Sequence, residues 1–304
     1  MSSGASSFDS WLPPTAGPPG GLPPVPGQGE SGDGGKDGDG VARWAPWTAG
    51  FALLVAFFFA IVGAIVVGIV STVFGASFTD PPPAVNIVAT VVQDGAFIGA
   101  ALLLAARAGR IVPAQFGFVR TRLLSALGWM AGAYVAYIAL GALWAQIVNT
   151  DAENKLPDSL GADESTAALV AVCVVVTVIA PIAEETFFRG YFFGALRNWH
   201  GVWPAALITG LVFGGIHVGS SPAVFLVPLA ILGFMLCIVR WKTGSLLPCI
   251  ALHAMNNALA FGITERWSGG ETLLLLIGAV SVTMLACAAL LPRGRDASDA
   301  RPLI

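Results

Sequence analysis

The chain has 304 residues, of which 56% are hydrophobic and 11% are charged, and its formal net charge is −3. So few charged side chains cannot cover the surface of a soluble domain of this length. Lysine and arginine form no dense patch, which argues against a nucleic-acid-binding surface.

The first segment differs in composition from everything that follows. Residues 1–40 contain 11 glycines and 7 prolines and few large apolar side chains. Such a segment cannot bury enough apolar surface to offset the entropy lost on ordering, so we predict a disordered tail over residues 1–43. A short basic tail is predicted over residues 293–304. Residues 44–292 between the two tails are predicted to form a transmembrane bundle.

Eight apolar stretches follow the tail, most of them close to the roughly 20 residues that a helix needs to cross a bilayer. They lie near residues 48–74, 84–106, 124–148, 166–199, 204–218, 222–241, 245–263 and 271–291. The fourth stretch is long and contains Pro181, which predicts a kink or break because proline removes a backbone hydrogen bond. The sequence therefore predicts an all-α polytopic membrane protein, an eight-helix bundle with a buried polar cavity.

Loop charges predict the orientation of the bundle. Arg43 precedes the first span, the 75–83 loop carries no lysine or arginine, and four arginines lie within residues 107–122. Because basic residues favour the cytoplasmic side, this alternation predicts that both termini are cytoplasmic. We expect a multi-pass protein of the cell membrane, and the Ala/Gly-rich composition with compact loops suggests a bacterial source.

A small set of charged residues falls at membrane depth, where each costs about 2.5–3.5 kcal/mol on insertion scales. The set is Asp94, Glu184, Glu185, Arg189, His217 and His253. Such residues usually face the interior of a bundle, and here most of them belong to three short motifs. Asp94 stands apart from the motifs. We interpret it as an interhelical hydrogen-bond partner, with a place in the wall of the cavity as the alternative.

The first motif combines two adjacent glutamates with an arginine. Glu185 and Arg189 are four residues apart and can pair on one helix face, although such a pair can equally be only a brace between helices. Glu184 points about 100° away from that face and has no such local partner. A carboxylate in this position suits a general base that acts on water.

The second and third motifs each place a histidine one helical turn from another functional side chain. Phe213 precedes His217 by four residues, and His253 precedes Asn257 by four. With a rise of about 1.5 Å per residue, all three motifs lie about 12–22 Å into their spans. We therefore expect them to meet at one level inside the bundle.

The three motifs in this order, EExxxR, FxxxH and HxxxN, resemble those of the CAAX-processing and bacteriocin-processing membrane proteases, also called the CPBP or Abi family. The resemblance covers roughly residues 120–291 and implies a protease with a conical cavity open to the cytoplasmic leaflet. It implies that Glu184 and His217 activate the attacking water, while His253 and Asn257 stabilise the oxyanion. It also implies supporting roles for the remaining motif residues, which are Glu185, Arg189 and Phe213.

The resemblance also bears on cofactor and substrate. The family is named as metalloproteases, which implies zinc or another divalent ion with Glu184, His217 and His253 as ligands. A metal-free water mechanism needs only the same side chains and stays open. The expected substrate is a membrane-associated peptide or membrane protein near the inner leaflet. The protein itself is expected to be embedded in the lipid bilayer.

Two other classes of function remain compatible with the sequence. A non-catalytic family member would act as a membrane scaffold or a bacteriocin-immunity factor. A transporter or proton relay would also carry buried glutamate and histidine side chains.

Overall fold

The computed structural model describes residues 44–78, 81–148 and 156–292 of the chain. The predicted tails over residues 1–43 and 293–304 lie outside the described residues, as do the short segments 79–80 and 149–155. Within these ranges the regular secondary structure is helical, and one isolated bridge joins Val218 to Ser221. The prediction of an all-α polytopic membrane bundle is confirmed.

The elements follow the predicted spans closely. In chain order they are α1 (Trp47–Val73), α2 (Pro83–Arg107), α3 (Pro113–Phe116), α4 (Leu123–Ile147), α5 (Leu156–Ser159), α6 (Thr166–Val174), π1 (Val175–Ile179), α7 (Ala180–Glu185), π2 (Thr186–Phe192), α8 (Phe193–His200), α9 (Val202–Gly215), α10 (Ala223–Thr243), α11 (Leu247–Thr264) and α12 (Gly269–Ala288). The elements from α6 to α8 join into one continuous helix, Thr166–His200.

Seven helices of the described residues are long and apolar enough to cross a membrane, where the sequence predicted eight spans. The exception is the fifth predicted span, residues 204–218. It corresponds to α9, whose 14 residues reach only about 21 Å, less than the roughly 30 Å of a bilayer core. The helix ends at Gly215, and the turns over residues 216–221 lead into α10.

Helix α1 shows how the bundle is adapted to lipid. Its buried residues are small and recur every three or four positions, whereas large apolar side chains such as Phe58 and Phe59 are exposed. Small residues allow close approach between helices, and lipid tails solvate the large apolar side chains on the outer face. This arrangement fits a surrounding of acyl chains.

Two π-helical segments flank the glutamate pair of the first motif. In π1 the N–H of Ala180 bonds to the carbonyl of Val175, five residues back. In π2 the N–H of Phe193 bonds to the carbonyl of Phe188, again five residues back. The interruption that the sequence predicts at Pro181 therefore takes the form of a π-helical turn, a feature that often marks functional sites.

Glycines set the close contact between α9 and α10. A Cβ atom added at Gly214 would lie 2.8 Å from the Cβ of Ala230, and one added at Gly210 would lie 2.7 Å from the carbonyl oxygen of the same residue. Only glycine fits at such distances without movement of the neighbouring helix. This contact brings Phe213, near the end of α9, against Gly233 in the middle of α10.

Candidate active site

Arg189 connects three elements around the first motif. Its Nη1 donates to Glu185 Oε1 at 2.6 Å, and both side chains are 0% exposed. Its Nη2 donates to the carbonyl oxygen of Gly233 on α10 at 2.9 Å. The guanidinium carbon lies 4.4 Å from the ring centroid of Phe213 on α9, within cation–π range. The pairing predicted for Glu185 and Arg189 is therefore present, and it also anchors two other helices.

His253 is held by the same glutamate. Its Nδ1 lies 2.9 Å from Glu185 Oε1, and the residue is 3% exposed. A carboxylate paired with arginine offers only acceptor atoms, so Nδ1 must carry the hydrogen. This assigns the tautomer of the neutral ring and leaves Nε2 with a lone pair.

Glu184 faces Nε2 of the His253 ring, the nitrogen that is not bonded to Glu185. Its Oε2 is 3.9 Å from His253 Nε2, which is too long for a hydrogen bond. Oε2 is buried and has no hydrogen-bond partner among the described residues. The structure thus brings the first and third motifs together, with a carboxylate and an imidazole nitrogen facing each other.

Phe213 lies against both motif histidines. Its ring centroid is 5.2 Å from that of His217 and 5.7 Å from that of His253. His217 Nδ1 lies 2.7 Å from the carbonyl oxygen of Phe213, which can only accept, so Nδ1 again carries the hydrogen. The second motif therefore adjoins the third, and in both rings Nδ1 is the nitrogen that donates.

Asn257 is tied to π1 across the bundle. Its Nδ2 donates to the carbonyl oxygen of Val176 at 2.9 Å, and the Nδ2 of Asn256 donates to its Oδ1 at 3.4 Å. In the π-helical register the N–H of residue 181 would bond to the carbonyl of residue 176, but Pro181 has no N–H. The carbonyl of Val176 is consequently available to Asn257, and one amide hydrogen of Asn257 is left for other acceptors.

Asp94 on α2 also belongs to this region. It is 2% exposed, and its Oδ2 has no hydrogen-bond partner within the part of the chain that the structure describes. The ring of Phe97, three residues further along α2, lies 5.0 Å from that of Phe187, three residues after Glu184. The absence of a partner for Oδ2 argues against the hydrogen-bond role expected from the sequence and favours the alternative, a place in the wall of the cavity.

The donor set implied for a metal does not form a ligand cluster. Among residues 44–78, 81–148 and 156–292, no group of three or more His, Cys, Asp or Glu side chains is arranged to hold a metal ion. Glu184, His217 and His253 therefore do not form, among the described residues, the preformed three-ligand site that the resemblance implies.

Some contacts of the site have no signal in the sequence motifs. The spacing of the first motif indicates the Glu185–Arg189 pair but not the bond from His253, which depends on the rotation of α11 about its axis. The acceptor for Asn257 is a backbone carbonyl, and only Pro181 could have indicated that it is free. Asp94 lies 90 residues before Glu184 and outside the three motifs, so the sequence does not indicate which side chains it approaches.

Comparison with known proteins gives three matches. Residues 166–259, which include all three motifs, match the family model described as type II CAAX prenyl endopeptidase Rce1-like. An uncharacterized 24.3 kDa protein of Escherichia coli is 31% identical over 141 residues, covering 45% of this chain and 62% of that protein. The UPF0177 protein YxdF of Lactococcus lactis is 25% identical over 154 residues, covering 48% of this chain and 84% of that protein.

The matches have limited extent. The aligned part of the chain spans less than two thirds of the E. coli relative. No solved structure matches the chain.

Proposed function

We propose that this protein is an intramembrane endopeptidase, because residues 166–259 match the family model described as type II CAAX prenyl endopeptidase Rce1-like. It hydrolyses a peptide bond in a membrane-associated peptide or protein. One observation carries the proposal: Glu184 Oε2, buried without a hydrogen-bond partner among the described residues, lies 3.9 Å from His253 Nε2. A carboxylate beside an imidazole nitrogen, inside a lipid-embedded bundle, is suited to activating water.

Glu184 is the proposed general base. It takes one proton from the attacking water as the water oxygen bonds to the carbonyl carbon of the substrate. His217, with a lone pair on Nε2, is the proposed second acceptor that orients the same water. Glu184 then delivers that proton to the departing amide nitrogen as the C–N bond breaks, so that the products are a carboxylic acid and an amine.

His253 and Asn257 are the proposed donors to the oxyanion. Asn257 uses one amide hydrogen to bond Val176, and the second is free to donate. His253 donates through Nε2 when its ring carries both protons, because Nδ1–H is already bonded to Glu185. Glu185 and Arg189 hold the ring in place, and fixed donors in a water-poor site stabilise developing negative charge effectively.

No step is assigned to a metal ion. Zinc or another divalent ion stays a prediction of the family resemblance. The donor arrangement in the described residues supports the metal-free water mechanism, because Glu184, His217 and His253 do not form a ligand cluster.

Substrate and location are proposed from the fold and the sequence. The substrate is a membrane-associated peptide or a membrane protein near the inner leaflet, since the site lies among helices of membrane length. The loop charges support cytoplasmic termini in a cell membrane. Similarity to proteins of E. coli and L. lactis supports a bacterial source.

The test is peptide cleavage in proteoliposomes. The probes are an internally quenched peptide ending in a farnesylated CAAX sequence and the same peptide carrying a palmitoyl anchor. Glu184→Gln, which is nearly isosteric, should abolish cleavage and leave the thermal unfolding midpoint close to that of the wild type. Glu164→Gln is the matched control, because Glu164 is exposed in the loop before α6. This variant should cleave the peptides at the rate of the wild type.

Three outcomes would contradict the proposal. Full activity of Glu184→Gln would show that the assigned base is wrong. A wild type that cleaves neither probe but drives proton flux across the vesicle membrane would favour the transporter or proton relay. A wild type that shows neither cleavage nor proton flux would favour the scaffold or immunity role.

A further inference from the structure

Arg240 is a buried cation that the proposed mechanism does not use. It lies three residues before the end of α10 and is 7% exposed. Its Nε is enclosed without a hydrogen-bond partner, and no ion pair found among the described residues includes its guanidinium. Buried charges in proteins are normally paired, because it is costly to take an isolated ion out of water. The guanidinium therefore needs an anion.

The backbone of the loop between α3 and α4 covers one side of this guanidinium. A Cβ atom added at Gly117 would lie 2.6 Å from both Cζ and Nη2 of Arg240. The carbonyl oxygen of Gly117 already accepts from the N–H of Val119 at 2.8 Å and from that of Leu246 at 2.7 Å. Because these two bonds use both lone pairs of the oxygen, the loop supports the guanidinium without offering this oxygen as an acceptor.

The segments that surround Arg240 contain basic residues and no acidic ones. No aspartate or glutamate occurs in residues 95–150 or 186–264, the stretches that supply α3, α4 and α8 to α10. Thr121, between two arginines of the first stretch, donates from Oγ1 to the carbonyl oxygen of Thr243 at the end of α10. The anion must therefore come from outside these segments.

Arg197 on α8 lies near the same end of the bundle. Arg189 bonds to a carbonyl of α10, and one turn further along both helices Phe193 and Cys237 are buried in one apolar cluster. The two helices therefore run in the same direction along their contact. The next turn of each carries Arg197 and Arg240, so two guanidinium groups lie at one level.

Tryptophan side chains identify that level as the edge of the membrane. The Nζ of Lys242 lies 3.9 Å from the ring centroid of Trp241 and 5.1 Å from that of Trp129. The ring of Trp203, which is 61% exposed, lies 5.7 Å from that of Trp241. Because tryptophan is enriched where a membrane helix meets the headgroups, Arg240 lies at the depth of lipid phosphates.

We propose that Arg240 binds the phosphate group of an anionic phospholipid, with Arg197 and Lys242 adding to the positive potential around it. A guanidinium offers paired N–H groups that match two phosphate oxygens, and basic pockets between membrane helices bind anionic headgroups. The bound lipid supplies the negative charge that the surrounding segments lack. This inference is independent of the proposed peptidase function, because it concerns a different end of α10 from the bond to Arg189.

The first experiment measures the thermal unfolding midpoint of the full chain in a neutral detergent, with and without added lipid. We expect dioleoyl phosphatidylglycerol to raise the midpoint of the wild type by about 3 °C or more, because a ligand of the folded state stabilises it. Zwitterionic dioleoyl phosphatidylcholine and inorganic phosphate should raise it much less. Arg240→Gln should lose most of the shift. Arg107→Gln is the matched control, because it removes the same charge from an exposed position at the end of α2 and should keep the shift.

Three results would overturn the proposal. One is a shift with phosphatidylglycerol that is as large in Arg240→Gln as in the wild type. Another is an equal shift from the two lipids, which would mean that the negative charge of the lipid is not recognised. A shift from inorganic phosphate as large as that from phosphatidylglycerol would overturn the lipid assignment and give the site to free phosphate.

A second variant decides the matter if Arg240→Gln does not fold. Arg240→Lys keeps the positive charge and loses the paired N–H groups. We expect its Kd for phosphatidylglycerol, measured by native mass spectrometry, to rise about tenfold, as for the loss of one charge-assisted hydrogen bond. Arg107→Gln should keep the Kd of the wild type. Equal Kd values for Arg240→Lys and the wild type would overturn the proposal.

Discussion

Glu185 Oε1 accepts hydrogen bonds from both Arg189 and His253, so a single buried oxygen joins the first motif to α11. The guanidinium neutralises the carboxylate, and the carboxylate fixes the tautomer of the imidazole. Loss of either donor changes the site in a different way. Arg189 affects the stability of the fold, whereas His253 faces the proposed reaction.

Substitution of Arg189 tests the buried pair. Arg189→Ala should destabilise the protein by about 3–5 kcal/mol, because Glu185 would stay buried without its cationic partner. Arg122→Ala is the control, since Arg122 is exposed at the start of α4 and should have little effect. Thermal unfolding in one detergent and the yield of folded protein measure the difference. Equal midpoints for the two variants would mean that the pair adds nothing to stability.

At the scale of elements, the long helix Thr166–His200 positions the site through its changes of helical register. The switch to π1 and the proline at position 181 leave the carbonyl of Val176 available to Asn257. The close contact of α9 with α10, made possible by Gly210 and Gly214, positions the second motif. Each motif is thus placed by a local irregularity in an otherwise regular helix.

Restoring a backbone donor at position 181 tests this arrangement. Pro181→Ala supplies an N–H that competes with Asn257 for the Val176 carbonyl, so we expect kcat to fall about tenfold while the protein still folds. Pro228→Ala is the matched control, because Pro228 also lies inside a helix and takes no part in the hydrogen bonds of Asn257. The measurement is kcat for cleavage of the farnesylated peptide by the two variants and the wild type. Unchanged kcat in Pro181→Ala would show that the carbonyl does not position the amide.

At the scale of the whole molecule, helices distant in the sequence surround the polar site with apolar side chains. Asp94, Glu184, His217 and His253 come from α2, α7, the end of α9 and α11 respectively. The outer faces of the bundle expose large apolar residues, as on α1 and α12. The bilayer therefore excludes water from most of the helix surface, and the polar side chains gather in the interior.

The assembled site predicts how activity responds to chelators. Because the described residues hold no three-ligand cluster, we expect dialysis against EDTA or 1,10-phenanthroline to leave cleavage of the farnesylated peptide unchanged. Metal analysis of the purified protein accompanies the assay. Loss of activity that added zinc restores would contradict the metal-free mechanism and return Glu184, His217 and His253 to the role of ligands.

The sequence by itself determined the all-α membrane bundle, the positions of its spans and the three motifs. Hydropathy and four-residue spacing are local properties, so the apolar stretches and the Glu185–Arg189 pair follow directly from the order of residues. The short α9 departs from the predicted eight spans because its helix stops at Gly215, inside the stretch that hydropathy alone assigns to a span.

Only the tertiary structure decided which polar side chains face each other. The bond from His253 to Glu185 and the bond from Asn257 to Val176 each join residues of different helices. Such contacts depend on the rotation and register of helices, which side-chain packing sets through contacts like that of Phe97 with Phe187. Packing of this kind is a property of surfaces that meet across the bundle, and no window of sequence contains it.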